Sequence, residues 1–316
     1  MIPSPVFITG LPRSGTTLLG NIIDRHPRLA IFVESFFIPQ YYYLQVLYWP
    51  LTRPEKFLGL AKAIVNEDAS KRNQLKMNPD HLAATEPRNF GRLLDTLMSD
   101  WAAAQGKVRW GDKSPGYVTK LPMFEKLYPE AKFIHIMRDG RDVWLSLKKL
   151  GWETNVVKVA RTWEKVLRRA RRYGQSVNPS HYYELRYEDL ISRPEEELKK
   201  IMAFLGEPYT DALLHTGNAK GKNIAFKGWP KIHEGIEAGN RNKWEKEMSA
   251  EEVALFESQA APMLRELGYP LSDRKPSGSI FWKRWRLTAG SHIETVSSAV
   301  RRRSAILIRH WNNAKS

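Results

Sequence analysis

Cysteine is absent from all 316 residues. That absence excludes a disulfide scaffold, thiolate-ligated zinc, an iron–sulfur cluster and a cysteine nucleophile together. No two of the eight histidines stand at i, i+4, so the helical zinc pair is missing as well, and no metal is assigned. Long apolar runs are also lacking. The longest, Phe36 to Pro50, is broken by Pro39, Gln40 and Gln45 and is too short to span a bilayer. Met1 to Gly10 shows no charged segment leading into an apolar stretch, so no secretory leader is expected. With the lack of cysteine this points to a cytoplasmic chain.

Apolar side chains and positive charge are plentiful. Hydrophobic residues make up 42% and aromatics 11%, enough for a full core, which excludes disorder over most of the length. The length suits about two domains, or one large α/β unit. Fifty Lys and Arg against 34 acids leave a net charge of +16, so anionic ligands or surfaces are expected. Half of the excess lies in residues 271–316, where ten basic residues face two acids. The expected division is therefore a domain over 1–270 and a basic amphipathic tail over 271–316. In the tail, Phe281 to Arg286 interleaves aromatics with cations. Glu294 to Trp311 carries Val296, Val300, Leu307 and Trp311 on one helical stripe. Such a segment suits peripheral contact with an anionic membrane; a disordered or core-docked extension is the plainer alternative.

Short apolar runs predict strands at Pro5–Thr9, Leu29–Val33, Lys107–Trp110, Lys132–Met137 and His181–Leu185. Helical spacing between them predicts helices over Thr85–Gln105, Val156–Tyr173 and Pro194–Leu205. A capping box at Ser249–Glu252 opens another that ends before Gly268. Strands alternating with helices imply an α/β fold, a P-loop-like parallel sheet flanked by helices on both faces.

Two clusters carry the chemistry. Gly10-Leu-Pro-Arg-Ser-Gly15-Thr-Thr17 lies between the first strand and a helix, where free backbone N–H groups and the helix dipole attract an anion. The spacing is that of GxxxxGK[ST], with Thr16 in the lysine position. Losing that lysine, with no clear acidic strand end for Mg²⁺, argues against a metal–ATP site, and Arg13 can supply the missing cation. The second cluster, Arg138-Asp-Gly-Arg141-Asp142, follows the strand Lys132–Met137 and leads into a helix over Val143–Leu150. Arg138 falls at the strand's C-terminal end, where open α/β sheets bind ligands, and Ser146 can reach the same phosphate. A salt-bridged loop is the plainer reading of that turn.

Gly10–Thr17, Arg138 with Ser146, Arg186-Tyr-Glu-Asp-Leu190 and Asn242-Lys-Trp244 together resemble sulfotransferases that use 3′-phosphoadenosine 5′-phosphosulfate (PAPS). Within them the chain is most similar to tyrosylprotein sulfotransferases and their bacterial relatives. Asp24-Arg-His-Pro27, Phe204-Leu-Gly206, Asp211 to His215 and Ala261 to Tyr269 extend the likeness over residues 5–270. The resemblance implies that Arg13, Ser14, Gly15, Thr16 and Thr17 hold the 5′-phosphosulfate, and Arg138 and Ser146 the 3′-phosphate. Tyr187 and Lys243 match further cofactor contacts, Glu34 matches the catalytic base, and Lys113 matches the lysine beside the transferring group. Two positions depart from the pattern. Gly228 stands where the family has a serine near the cofactor, and Phe36 where the protein-tyrosine enzymes have an arginine that meets acidic peptides.

Sulfuryl transfer needs in-line placement and neutralised charge, and a sulfuryl group carries less charge than a phosphoryl group, so fixed cations can replace a metal. Arg13 and Lys113 are those cations, and Glu34, in an apolar run, is suited to take the acceptor's proton. A strand-end salt bridge is the plainer role for Glu34. His135 is the rival base, although its place inside a strand suits a buried, hydrogen-bonded ring better. The aromatics after Glu34 fit a sugar, lipid-linked or small apolar acceptor better than an acidic peptide, unless they are simply core. A P-loop kinase of a nucleotide or small molecule is the alternative enzyme. Specific nucleic-acid binding is not expected, because the basic run Arg161–Arg172 has no recognition motif beside it.

Overall fold

The computed structural model describes residues 4–214, 241–274, 280, 282–285 and 287–288. Five strands, Val6–Gly10 (β1), Leu29–Val33 (β2), Arg109–Lys113 (β3), Lys132–Met137 (β4) and Tyr182–Arg186 (β5), run parallel in the order β2-β3-β1-β4-β5. β1 is central, with Val6 in register with Gly111 on one side and Lys132 on the other. A strand paired on both edges and covered on both faces has no polar face to present, which is why its five residues are all buried.

Side-chain alternation divides the core in two. Val6, Ile8, Ile31, Ile134 and Ile136 meet Leu19, Ile22 and Ile23 of α1 (Thr16–Ile23) and Leu198, Ile201 and Met202 of the helix Pro194–Leu205. Phe7, Phe32, Trp110 and Phe133 meet Phe37 and Tyr41 of α2 (Phe37–Leu44), with Leu60, Leu93, Leu97 and Trp101 from the helices Pro54–Val65 and Phe90–Ala103. The expected α/β architecture, a parallel sheet with helices on both faces, is what the chain adopts.

Residues group into two compact units, Met1–Met137 with Ala170–Ala238, and Arg138–Arg169 with Gly239–Ser316. The sheet belongs to the first. In the second, Asp139 caps the helix Gly140–Lys149, accepting from the Arg141 N–H at 2.9 Å. A Cβ at Gly140 would come within 2.8 Å of the Phe256 and Trp163 rings, so only glycine allows them to close over it. Ser249 and Glu252 form the expected capping box on the helix Ala250–Glu266. Pro270 lies inside this unit and accepts from Arg141 Nη1 at 2.8 Å.

Several element boundaries differ from expectation for identifiable reasons. β3 runs Arg109–Lys113 instead of Lys107–Trp110, because its three ionisable side chains are buried with partners. Arg109 alone bonds the Ser4 and Leu205 carbonyls and Glu207. The helix expected from Thr85 starts at Phe90, after Asn89 accepts from Arg92 N–H at 3.0 Å. The helix expected from Val143 starts at Gly140, where Asp139 caps it. Trp282, Lys283, Arg284 and Trp285 are helical, both tryptophans exposed; Glu294–Trp311 and Gly228 lie outside the described residues.

Candidate functional site

The loop after β1 is shaped by two residues with positive φ, Arg13 (72°) and Gly15 (95°), which turn the chain so that α1 begins at Thr16. At Gly15 a side chain is excluded twice over. The φ is one that favours glycine, and a Cβ would sit 2.4 Å from Tyr187 Cδ2. Tyr187, the first residue of a short helix after β5, is buried and its ring packs on the loop. The Ser14 and Thr16 side chains are buried and Arg13 and Thr17 partly exposed, and the loop, the helix N-terminus and Tyr187 lie together.

Lys113, the last residue of β3, joins this loop to β2. Its Nζ donates to Thr17 Oγ1 at 3.0 Å and to Glu34 Oε1 at 2.7 Å. The stem lies along α1, where a Cβ on Gly20 would be 3.0 Å from Lys113 Cγ. Burial lowers the ammonium's pKa, and the charge and hydrogen bond of Glu34 oppose that shift. Glu34 follows β2 directly. Its N–H donates to the Lys113 carbonyl at 2.8 Å, its φ is 56°, and that of Phe36 is 47°. Phe36 is half exposed and stands edge-on to Tyr117, ring centroids 6.4 Å apart. The aromatics that follow divide. Tyr41 is core, its phenol donating to Glu67 at 2.8 Å, whereas Tyr43, Val46, Leu47 and Trp49 are exposed.

His135 is fully buried and its Nδ1 shares a 2.7 Å hydrogen bond with the Tyr182 phenol. Burial, aided by the charge of Arg171, pushes its pKa down to about 3, which disfavours the protonated ring that a base must become. The His26 Nδ1 accepts from the Arg28 N–H, and its Nε2 donates to the Pro208 carbonyl at 2.9 Å.

The remaining candidates lie in the second unit. Arg138 is buried, with Nη2 3.8 Å from Asp142 Oδ2, and its carbonyl accepts from Trp163 Nε1 at 3.0 Å. Asp142 also accepts from the Trp244 N–H at 2.9 Å, fixing the residue that follows Lys243. Burial raises the Asp142 pKa, and Arg138 with the Trp244 and Asn242 N–H groups opposes the shift. Ser146 is partly buried on the helix Gly140–Lys149. Arg141 takes the salt-bridged role considered for this turn. It bonds Asp139 through Nη2 at 2.6 Å and Glu257 at 2.8 Å, and stacks on Trp244 at 3.5 Å. The Asp142 tie and the Thr17–Lys113 bond were not anticipated. Asp142, at the start of a helix and four residues after Arg138, was the available signal.

Among the described residues no three His, Asp or Glu side chains gather as a metal site, and no helix is long and apolar enough to cross a membrane. The family model described as "Sulfotransferase family" matches residues 5–211. Protein-tyrosine sulfotransferase A of Caenorhabditis elegans is 25% identical over 289 residues, covering 86% of this chain and 69% of its own. Nodulation protein NoeE of Sinorhizobium fredii is 25% identical over 305 residues, covering 86% and 67%. In fold, the sulfotransferase domain of the Synechococcus olefin synthase superposes with a TM-score of 0.59 at 22% identity, over 85% of this chain and 97% of that one. A sheet with a phosphate-type loop at its central strand, a lysine reaching that loop from the next strand and a family match over most of the length agree: the chain is an enzyme of the sulfotransferase family.

Proposed function

We propose that the enzyme transfers the sulfuryl group of PAPS to the hydroxyl of a sugar, a lipid-linked molecule or a small apolar molecule. The observation that carries the reading is the simultaneous bonding of Lys113 Nζ to Glu34 and Thr17, which joins an acid, a cation and the anion loop at one point. The donor set fits a phosphosulfate. From Gly10 to Thr17 there is no acid, and the loop offers a guanidinium, three hydroxyls and the N–H groups that open α1.

PAPS, when bound, supplies the sulfuryl group. Arg13, Ser14, Gly15, Thr16 and Thr17 would hold its 5′ end, with Tyr187 against the loop; by the family resemblance Arg138 and Ser146 would hold its 3′-phosphate, and Lys243 would make a further contact. Lys113 and Arg13 neutralise oxygen charge as it develops. Glu34 takes the acceptor's proton, and Lys113 stabilises the carboxylate until then. The exposed Phe36 beside Tyr117 offers the acceptor an apolar edge two residues from the base. The names of the protein-tyrosine relatives favour a second acceptor, a tyrosine phenol on a protein.

In Glu34→Gln the shape is kept and the base removed. Turnover is expected to fall roughly 10²–10⁴-fold, with donor affinity by calorimetry little changed. Unaltered turnover in that variant, together with loss on His135→Ala in a folded protein, would reassign the base. Radiolabelled PAPS offered with a cell extract, a panel of apolar alcohols and an acidic tyrosine peptide separates the acceptors. Label on the peptide alone would replace the apolar reading by the protein one.

A further inference from the structure

Behind the Glu34–Lys113 pair lies a second polar cluster, wholly out of water. Asp112 precedes Lys113 on β3, so alternation sends its carboxylate to the opposite face of the strand. There it accepts from the Ser35 N–H at 3.4 Å. The Ser35 hydroxyl shares a 2.5 Å hydrogen bond with the phenol of Tyr117, in the turn Pro115–Thr119. Asp112, Ser35, Ser114 and Tyr117 are all buried.

Ser35 is the middle of a strained triplet, because Glu34 and Phe36 on either side both have positive φ. Such a conformation is unfavourable for a non-glycine residue and persists only where the surroundings impose it. The bonds that impose it here run from the Glu34 N–H to the Lys113 carbonyl and from Ser35 to Asp112 and Tyr117. A buried carboxylate is a costly way to fill space, so its presence calls for a role beyond packing.

We propose that Asp112 is a positioning residue: its carboxylate, with Tyr117, anchors Ser35 and so holds Glu34 in the left-handed conformation that keeps its carboxylate on Lys113. This inference rests on the base role proposed for Glu34. Charge assistance makes the Asp112 bond stronger when the acid is ionised, so protonation loosens the anchor. Burial raises Asp112 to about 6, opposed by the polar groups of Ser114 and Ser35 and by the charge of Lys113. The titratable groups that act on it are Tyr117, beside it, and Lys113, its neighbour on the other face of β3. Burial and the Asp112 charge drive the Tyr117 phenol well up, so it stays protonated throughout.

The test is carbon-13 NMR of the full chain with labelled Asp and Glu carboxyls, from pH 4 to 9, with Glu34→Gln and Asp112→Asn assigning the two signals. In the wild type the Asp112 carboxyl should titrate near pH 6, and the Glu34 carboxyl carbon should inflect at the same pH. In Asp112→Asn that inflection should vanish. A Glu34 signal whose response near pH 6 is the same in both proteins overturns the proposal. If Asp112→Asn does not fold, Ser35→Ala and Tyr117→Phe each cut the Ser35–Tyr117 link with Asp112 in place. The inflection should then shrink by roughly half or more, and an unchanged inflection in both overturns the proposal. The base role fails separately. Full turnover by Glu34→Gln discards it and leaves the coupling standing, while absent coupling with an inactive Glu34→Gln discards only the role of Asp112.

Discussion

Lys113 is an ammonium almost entirely removed from water, and Glu34 is its nearest anion. Taking away one partner of such a pair leaves the other buried and uncompensated. Glu34→Ala is therefore expected to lower unfolding stability in urea by on the order of 3 kcal/mol. Adding Lys113→Met should recover most of that loss without restoring turnover. His135 sets a different pH dependence. Its folded pKa is depressed from 6.5 to about 3, so on acidification the unfolded chain takes up the proton first and stability is lost from pH 6.5 down to about 3. His135→Asn removes that contribution. Relative to the wild type it should gain about 1.4 kcal/mol per pH unit over the window, read from urea melts at several pH values. Asp112 acts in the opposite sense. Its folded pKa is raised from 3.8 to about 6, so its contribution is greatest below pH 3.8 and declines as pH rises to about 6.

Among the elements, the loop between β1 and α1 depends most on one backbone position. Gly15→Ala would place a methyl in the Tyr187 ring at a φ that side chains resist. Donor binding by calorimetry should fall roughly tenfold or more, because the N–H groups of the helix start lose their common aim. This loop was legible because its strand is a short β-branched and aromatic run and its glycines and hydroxyls follow a known spacing. β2 and β4 were legible to the residue, being β-branched and aromatic runs. β3 was displaced because Arg109, Asp112 and Lys113 look like surface charges in one dimension, and the partners that bury them, Glu207, Ser35 and Glu34, are distant in sequence. The Asp112 cluster was hidden for the same reason. Charged residues are rarely buried alone, and which of them are paired is decided only when β2 and β3 come side by side. The role of Arg141, buried against Asp139 and Trp244, was visible only as one of two readings of its turn.

For the whole molecule, the +16 charge and the choice of Arg13 over a loop lysine lead to the same expectation for the donor. 3′-Phosphoadenosine 5′-phosphate should bind in the presence of chelator with a free energy on the order of −8 kcal/mol, and ATP binding that needs Mg²⁺ would return the kinase reading. The basic segment over 271–316 is tested by flotation. The full chain should rise with anionic vesicles and be released by salt, and a chain ending at Pro270 should not. Equal behaviour of the two would end the membrane proposal. Phe36 has another consequence, for laboratory evolution. It is half exposed, touches Tyr117 edge-on and sits at a φ of 47°, so glycine there sheds strain and gives up little contact. A library of variants ranked only by survival of heat should enrich Phe36→Gly, and the hardiest lineage would be the one that had dropped the side chain bordering Glu34.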